Sequence, residues 1–574
     1  MRRWAYPLAL LAICGALYFW RLGITPLDDF DEAYYAEGAR EMLERGDLGT
    51  PYFNGQPFLL KPVLIYWLIA GAFRLFGVTE FAARSFSAFF ATAIVILTYW
   101  FGSKALSPRA GFLAGLSLAL CYMWVDNGRE AMIDMPLTAA LAPALFLVFM
   151  GTEAAPDRKW RLYLPAYPLI GIALLAKGPA GTIPSLVGLL LYLVFSRRLA
   201  RTVREAYVLP GIALALVVAA PWYVYEGIRQ PDFLATFLLR EHFGHLQGEL
   251  ARDDAWWGHI KNVIVGFYPW VAFLPAALVG AFRGSGQAGG VLRFCAWWAG
   301  AVIVSFSFAG AKLPHYLVPA FPPMALLVAG WYDRWVRRED RAAGAAAVGF
   351  GLLGVVGLAL AALAGVAALM PAVVRERIAT QFGPWTPGAA PVVMLTALAA
   401  GSLGAVATFV VGRPSAAGGA PPAAGGRATV FPLLASAMLA ALTAHVGWFK
   451  PRLSLIQSQP RKELAQLAGA MLPADEPLGV FYAKRNATIF YARRPIVDLG
   501  EWEPEKLVAF LSSPSPATAL THARFLSLVE REAPRAQLWT RRGDFVLVSN
   551  HPAPLFHGAR ERSVNRPTSG SRGP

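Results

Sequence analysis

Apolar residues in this chain come in long blocks, not in the alternation of a half-buried strand. Taking about 20 mostly apolar residues as one membrane crossing, about thirteen blocks qualify. They centre near residues 13, 94, 117, 143, 170, 188, 215, 272, 300, 324, 356, 400 and 438. The breaks between them alternate in charge. Lys and Arg gather near 106, 157, 201, 288, 337 and 420, so those loops are expected in the cytoplasm. Segments 24–83, 125–135, 226–262, 310–316 and 371–389 then lie outside. An odd number of crossings puts the C-terminal region outside too. The first block follows Arg2-Arg3 and is succeeded by Arg21-Leu22-Gly23-Ile24, not by a small-residue cleavage site. It reads as a retained span with a cytoplasmic N-terminus.

Two outside segments are too long to be simple connections. In 24–83, Glu32 to Arg45 carries Ala36, Ala39, Met42 and Leu43 at helical spacing, with Gly46 placed to end the helix. Val63 to Phe76 is apolar but shorter than a span, so both pieces are expected to lie along the outer interface. Segment 226–262 is rich in His, Glu, Asp and Trp, and loops of that length are usually functional or disordered. From 449 the pattern changes: an amphipathic helix over 460–471, a strand over 478–482, a helix over 503–512, and strands near 536–540 and 544–548. The prediction is a mainly α, polytopic membrane protein of about thirteen transmembrane helices with interfacial helices. Residues 1–448 form the membrane part, 449–550 a small periplasmic α/β domain, and 551–574 a Pro-, Gly- and Arg-rich disordered tail.

Composition supports the membrane assignment. The 574 residues are 56% hydrophobic and 15% charged, against roughly 25% charged in soluble domains. The net charge of +16 does not imply a nucleic-acid partner, because the basic residues are spread over short loops and not gathered on one face. Cys14, Cys121 and Cys295 each fall within or at the end of an apolar block, with no CxxC spacing. They read as small buried residues and indicate neither a disulfide frame nor a cysteine metal site.

Against this background the polar residues near the outer interface are conspicuous. Asp28-Asp29-Phe30-Asp31-Glu32 follows the first span. Asp29 with Glu32 fits a capping box, but the cluster is denser than a cap needs. A carboxylate there could take a proton from an acceptor hydroxyl or stabilise positive charge on a sugar ring. Lys61 sits in the apolar run Phe58 to Trp67; it either snorkels to the interface or meets an anion such as a lipid phosphate. Lys177 precedes Gly178-Pro179 at the outer end of a span in a similar setting. Asp134 opens another block on the outside, with Arg129 five residues earlier as a candidate partner. Lys312-Leu313-Pro314-His315-Tyr316 joins two blocks, and proline at this depth is tolerated where the backbone lines a polar cavity. His242 and His245, with Glu241, Glu249, Asp253, Asp254 and His259, form either an interfacial polar loop or a divalent-metal site of no standard spacing. All of these fall on the outer side, whereas a transporter would place polar groups at mid-membrane.

These motifs occur in a familiar order: Asp31-Glu32-Ala33-Tyr34-Tyr35, Lys61-Pro62 before Tyr66-Trp67, Arg129 with Asp134, Lys177-Gly178-Pro179, Glu241-His242, and Lys312 to Tyr316. The order resembles the GT-C membrane glycosyltransferases of the protein mannosyltransferase superfamily, and among them the lipid A 4-amino-4-deoxy-L-arabinose transferases, over about residues 5–330. The resemblance implies inverting transfer of a sugar from undecaprenyl phosphate to a periplasmic acceptor such as lipid A. It makes Asp31 and Asp134 the catalytic acids. Glu32, Tyr35, Lys61, Arg129, Lys177, Lys312, His315 and Tyr316 become substrate-binding residues, with Lys61 and Lys177 on the donor phosphate. It also matches His242 to a histidine that can bind zinc. The family's acid before the lysine is Leu60 here, which counts against zinc, and Tyr34 replaces a usual arginine. The expected partners are the lipid-linked donor, a glycolipid or glycan acceptor and membrane lipids. A protein O-mannosyltransferase or a flippase of lipid-linked sugars is the alternative.

Overall fold

The computed structural model describes residues 2–233, 237, 257–310, 312–337, 339, 343–369, 389–411 and 425–553. His242, the rest of the polar cluster from 240 to 254, the connections 371–388 and 412–424, and the tail beyond 553 lie outside the described residues. The chain divides into two compact units, Met1–Gln459 and Pro460–Pro574.

The first unit is a helical bundle of a multi-pass membrane protein. Among the described residues, eight helices are long and apolar enough to cross a membrane, or ten when each of two bent pairs counts as one span. The bent pairs are Pro108–Ala119 with Tyr122–Gly128 (64°) and Gly258–Gly266 with Trp270–Arg283 (108°). The blocks expected near 170 and 188 form one continuous run, Trp160–Phe195, interrupted only at Gly178. That residue has φ 69° and ψ −166°, a conformation essentially reserved for glycine. The run reverses there. Lys159, just before it, pairs with Glu205, and Arg198, just after it, reaches Thr152 and Glu153. Both ends therefore return to one end of the bundle, while Lys177 and Gly178 lie at the other. Each leg is about 27 Å long, close to the hydrocarbon thickness.

The core is aromatic and continuous, with Trp124, Trp270, Trp298 and Trp331 buried among Phe101, Phe146 and Tyr192. The helices Val208–Arg229 and Ala346–Val366 are largely open to the surroundings, with 17% and 28% of their apolar windows buried. They present Leu209, Val217, Ile228 and Val355 outward, as a lipid-facing surface requires.

Two shorter helices follow the first apolar segment, Asp31–Arg45 and Leu64–Phe76. They flank a hairpin of β1 (Tyr52–Phe53) and β2 (Gln56–Pro57). Gly46, at φ 69°, ends the first helix as its position suggested. That helix is not merely laid on a surface. Ten of its residues are buried, including the Glu37–Arg40 pair at 2.5 Å, so its polar stripe packs inward.

The second unit carries a five-stranded sheet in the order β4-β3-β5-β7-β6. The strands are β3 (Leu478–Val480), β4 (Ile496–Asp498), β5 (Thr518–His522), β6 (Gln537–Arg542) and β7 (Phe545–Ser549). β3 runs parallel to β4 and β5, and β7 antiparallel to β5 and β6. Phe481, Leu507, Leu511, Val529, Val546 and Val548 close its core. The unit begins at 460, not 449, because the last membrane helix runs on through a π-turn at His445–Phe449 into Lys450–Gln457.

Candidate active site

Asp31 is the first residue of the helix Asp31–Arg45 and is half-buried. The cap position is Phe30, which makes no side-chain cap, so the expected box through Asp29 is not the one formed. Glu32 reaches back to the backbone N–H of Asp28 at 2.9 Å. The other bonds of Glu32 are long-range: Arg84 donates to both carboxylate oxygens at 2.8 and 2.7 Å, and the Ala131 N–H donates at 2.8 Å. Arg84 also donates to the carbonyls of Leu22, Thr25 and Pro26. Burial alone would raise the Glu32 pKa. The Arg84 charge, its hydrogen bonds and the two backbone N–H groups outweigh that and lower it. Every strong acceptor site of Glu32 is thus engaged by the protein.

Asp134 is the first residue of the helix Asp134–Glu153 and is fully buried. The helix N-terminus favours its charge. Its Oδ1 accepts from Lys177 Nζ at 2.6 Å, and its Oδ2 has no hydrogen-bond partner among the described residues. The Lys177 ammonium lies 4.4 Å from the centre of the Tyr316 ring, within cation–π range. Tyr316 and His315 belong to the 3-10 turn Pro314–Ala320 that follows Lys312. His315 lies in the electrostatic field of Asp134, Lys177, Asp31 and Lys61. Tyr35, buried on the Asp31 helix, is within similar reach of Asp31, Tyr66, Asp134 and Tyr316.

Asp31, Tyr35, Lys61, Asp134, Lys177, His315 and Tyr316 therefore meet at one place, although they come from five stretches of chain. Tyr66 joins them: it is fully buried beside Asp31, and its hydroxyl lacks a partner among the described residues. The motif Tyr66-Trp67 was visible in the sequence, but an apolar run gives no cue to which ring turns inward.

Other expected residues are placed differently. Arg129 does not pair with Asp134. Its Nη1 donates to the carbonyls of Leu17, Tyr18 and Trp20, tying the segment before Asp134 to the end of the first apolar helix. The Lys312 side chain turns onto the Ala309 carbonyl, and its own carbonyl accepts from Asn262. Lys450 bridges Asp126 at 2.6 Å and Glu130 at 2.5 Å, with His445 3.8 Å from Asp126. This network braces the same segment and had no sequence cue, because its members lie over 300 residues apart. For zinc, His242 lies outside the described residues and Leu60 supplies no ligand. Among the described residues no three His, Cys, Asp or Glu side chains could hold a metal ion.

Across 96% of this chain and 98% of the other, the structure matches ArnT from Cupriavidus metallidurans bound to undecaprenyl phosphate, with a TM-score of 0.74 at 22% identity. It has the GT-C fold. Residues 60–225 of this GT-C chain match the family model of dolichyl-phosphate-mannose-protein mannosyltransferases. Two curated relatives are named undecaprenyl phosphate-alpha-4-amino-4-deoxy-L-arabinose arabinosyl transferases. The one from Edwardsiella ictaluri is 29% identical over 58% of this chain, and the one from Aeromonas salmonicida 30% identical over 63%. The matched regions span 60% and 66% of those relatives' own lengths.

Proposed function

We propose that this protein is an inverting membrane glycosyltransferase. It moves a sugar from undecaprenyl phosphate to a glycolipid acceptor such as lipid A on the periplasmic face of the bacterial inner membrane. The observation that carries this reading is the convergence of Asp31, the Asp134–Lys177 pair, Lys61 and His315 at the end of the bundle opposite the Lys159–Glu205 and Arg198–Glu153 pairs. The matches to lipid-linked sugar transferases support it. With the two legs of Trp160–Phe195 counted separately, the ten candidate spans become eleven, and the basic loops near 157 and 201 put the opposite end of the bundle, with the site, outside.

In this reading Lys61 and Lys177 bind the donor phosphate and stabilise the charge it gains on leaving. The acceptor oxygen attacks the anomeric carbon from the side opposite that phosphate. The new carbon–oxygen bond forms as the bond to the phosphate breaks, and configuration inverts. If the nucleophile is a hydroxyl, Asp31 takes its proton. If it is a phosphate, no proton need move, and Asp31 orients the acceptor. Asp134 holds Lys177 in place, and Tyr35, Tyr66 and Tyr316 wall the site. A second reading, transfer to a protein hydroxyl, is favoured by the mannosyltransferase family match.

The test is transfer of a radiolabelled sugar from undecaprenyl phosphate by purified protein, offered lipid A or a serine-rich peptide. Label on lipid A that disappears with Asp31→Asn is the expected result. Label on peptide alone would move the acceptor to protein. Full transfer by Asp31→Asn would overturn the role of that carboxylate.

A further inference from the structure

A cleft of about 680 Å³ lies at the far end of the helix that begins at Asp31 and along the helix Leu64–Phe76 from Trp67 to Arg74. Leu43, Gly46, Asp47, Leu48 and Gly49 line one side, Trp67, Gly71 and Arg74 another, and Trp222 and Tyr225 of the helix Val208–Arg229 the third. Its size is that of a pocket for one amphiphilic ligand. Both indole N–H groups are already used, Trp67 on the Leu48 carbonyl at 2.7 Å and Trp222 on the Gly49 carbonyl at 2.9 Å. The two rings are therefore fixed and present apolar faces. Asp47 is held by Tyr52, Arg229 and two backbone N–H groups. Arg74 is different. It is exposed at the rim and makes no ion pair or hydrogen bond among the described residues. Beside it Leu75 and Phe76 are exposed, as are Val224 and Ile228 on the helix Val208–Arg229, an apolar surround that suits lipid chains.

We infer that this cleft seats the acyl end of the acceptor, a phosphorylated glycolipid whose phosphate is met by Arg74. The inference rests on the glycosyltransferase reading above. An apolar slot with one unmatched guanidinium at its rim is complementary to a lipid with an anionic headgroup. The donor phosphate cannot supply that anion while it sits on Lys61. Ten residues separate the start of the helix Leu64–Phe76 from Arg74, about 15 Å along its axis. The exposed Arg74 is open to a second anion, and a phosphorylated acceptor carries one. Because the same two helices lead back to Asp31 and Tyr66, a glycolipid anchored here lays its sugar headgroup toward the site.

Gly71 supplies a clean probe. It lies on the cleft wall, and a Cβ there would meet nothing within 4 Å. Gly71→Leu projects an apolar side chain into the cleft from a position with open space at its Cβ, and Arg74→Gln removes the charge. Purified full-length protein is assayed with lipid A and with its deacylated, water-soluble headgroup. Both variants are expected to raise KM for lipid A about tenfold, the scale of one charged contact. KM for the lipid-linked donor stays unchanged in both variants, whereas the deacylated headgroup, which keeps the phosphate and lacks the chains, is used normally by Gly71→Leu and less well by Arg74→Gln. Native mass spectrometry, independent of turnover, reads lipid A retained by wild type and lost by Gly71→Leu. A raised donor KM would assign the cleft to the donor tail and overturn the proposal. Retention of phosphatidylglycerol as strong as that of lipid A, or of lipid A by Gly71→Leu, would also overturn it. Failure of wild type to transfer to any glycolipid while still retaining lipid A would refute the activity and leave the binding site standing.

Discussion

Glu32→Gln separates a residue that builds the site from one that touches substrate. The Glu32 carboxylate accepts four hydrogen bonds of 2.7–2.9 Å, two on each oxygen. In glutamine one oxygen becomes NH2, and whichever way the amide is turned that group faces two N–H donors. Two bonds are lost, and the Arg84 guanidinium, its side chain 5% exposed, loses the carboxylate charge that pairs with it. Removing one partner of a buried pair costs about 3–5 kcal/mol. The surviving carbonyl oxygen puts this variant near the lower end. At ~2 °C per kcal/mol for a large chain, the midpoint of thermal unfolding falls by about 6 °C. The damage is directed, because Glu32 joins the segment before Asp31 to the segment before Asp134 through Asp28 and Ala131. Tryptophan fluorescence in detergent reads the midpoint, and transfer kinetics on the surviving protein read kcat and KM. The expected result is a lower midpoint and a lower kcat with both KM values little changed. The lowered carboxyl pKa fixes the pH dependence. The stabilisation is fully present above the ordinary value of 4.5 and is lost as pH falls from there through the depressed folded value. An unchanged midpoint with a raised KM would refute the reasoning and return Glu32 to the substrate-binding set.

Asp31→Asn should leave the unfolding midpoint within error, since Asp31 is half-buried and makes no hydrogen bond among the described residues, yet lower transfer to a hydroxyl acceptor by about 100-fold or more; retained transfer would count against it. Asp134→Asn should do both kinds of harm. It strips Lys177 of its 2.6 Å carboxylate partner, costing about 3 kcal/mol or more, and raises the donor KM; a normal midpoint and donor KM would contradict this. Gly178→Ala forces a side chain into φ 69°, ψ −166° at about 1–3 kcal/mol and displaces Lys177, so both midpoint and donor KM should shift; an unperturbed variant would show that the reversal does not need glycine. Burial lowers the His315 pKa from 6.5, while Asp134 and Asp31 oppose that shift. His315 therefore stays neutral above pH 6.5, and activity and stability fall as pH drops through its lower folded value; His315→Gln should flatten that acid limb, and a pH profile identical to wild type would exclude His315 as its origin.

The inventory of the site was legible in the sequence because membrane depth makes charge expensive. Asp31, Lys61, Asp134, Lys177 and His315 each interrupt an apolar context at an outer boundary, and the basic loops fix which boundary is which. Their pairing was not legible. Arg129 is five residues from Asp134, but Asp134 pairs with Lys177, 43 residues away. Arg84, the partner of Glu32, sits inside the apolar helix Glu80–Ala105, where its cost is met from a segment 52 residues upstream. Two strands of the second unit, β4 and β5, escaped notice for a related reason: they have three and five residues and are held by β3 and β7, not by their own pattern.

The adjacent carboxylates Asp31 and Glu32 show what geometry adds. By residue type they are alike, and only the family resemblance singles out Asp31 as the catalytic acid and Glu32 as a substrate-binding residue. In the folded chain, the ~100° between successive helical residues gives them different neighbours. Glu32 faces Arg84 and two backbone N–H groups, and its lowered pKa makes it a poor base. Asp31 faces Tyr35, Tyr66 and His315 and accepts no hydrogen bond among the described residues. A general base needs free lone pairs within reach of the proton it removes. Of the two, only Asp31 has them. The buried charge of Glu32 holds the helix start in place, and that placement keeps Asp31 beside Tyr35, Tyr66 and His315.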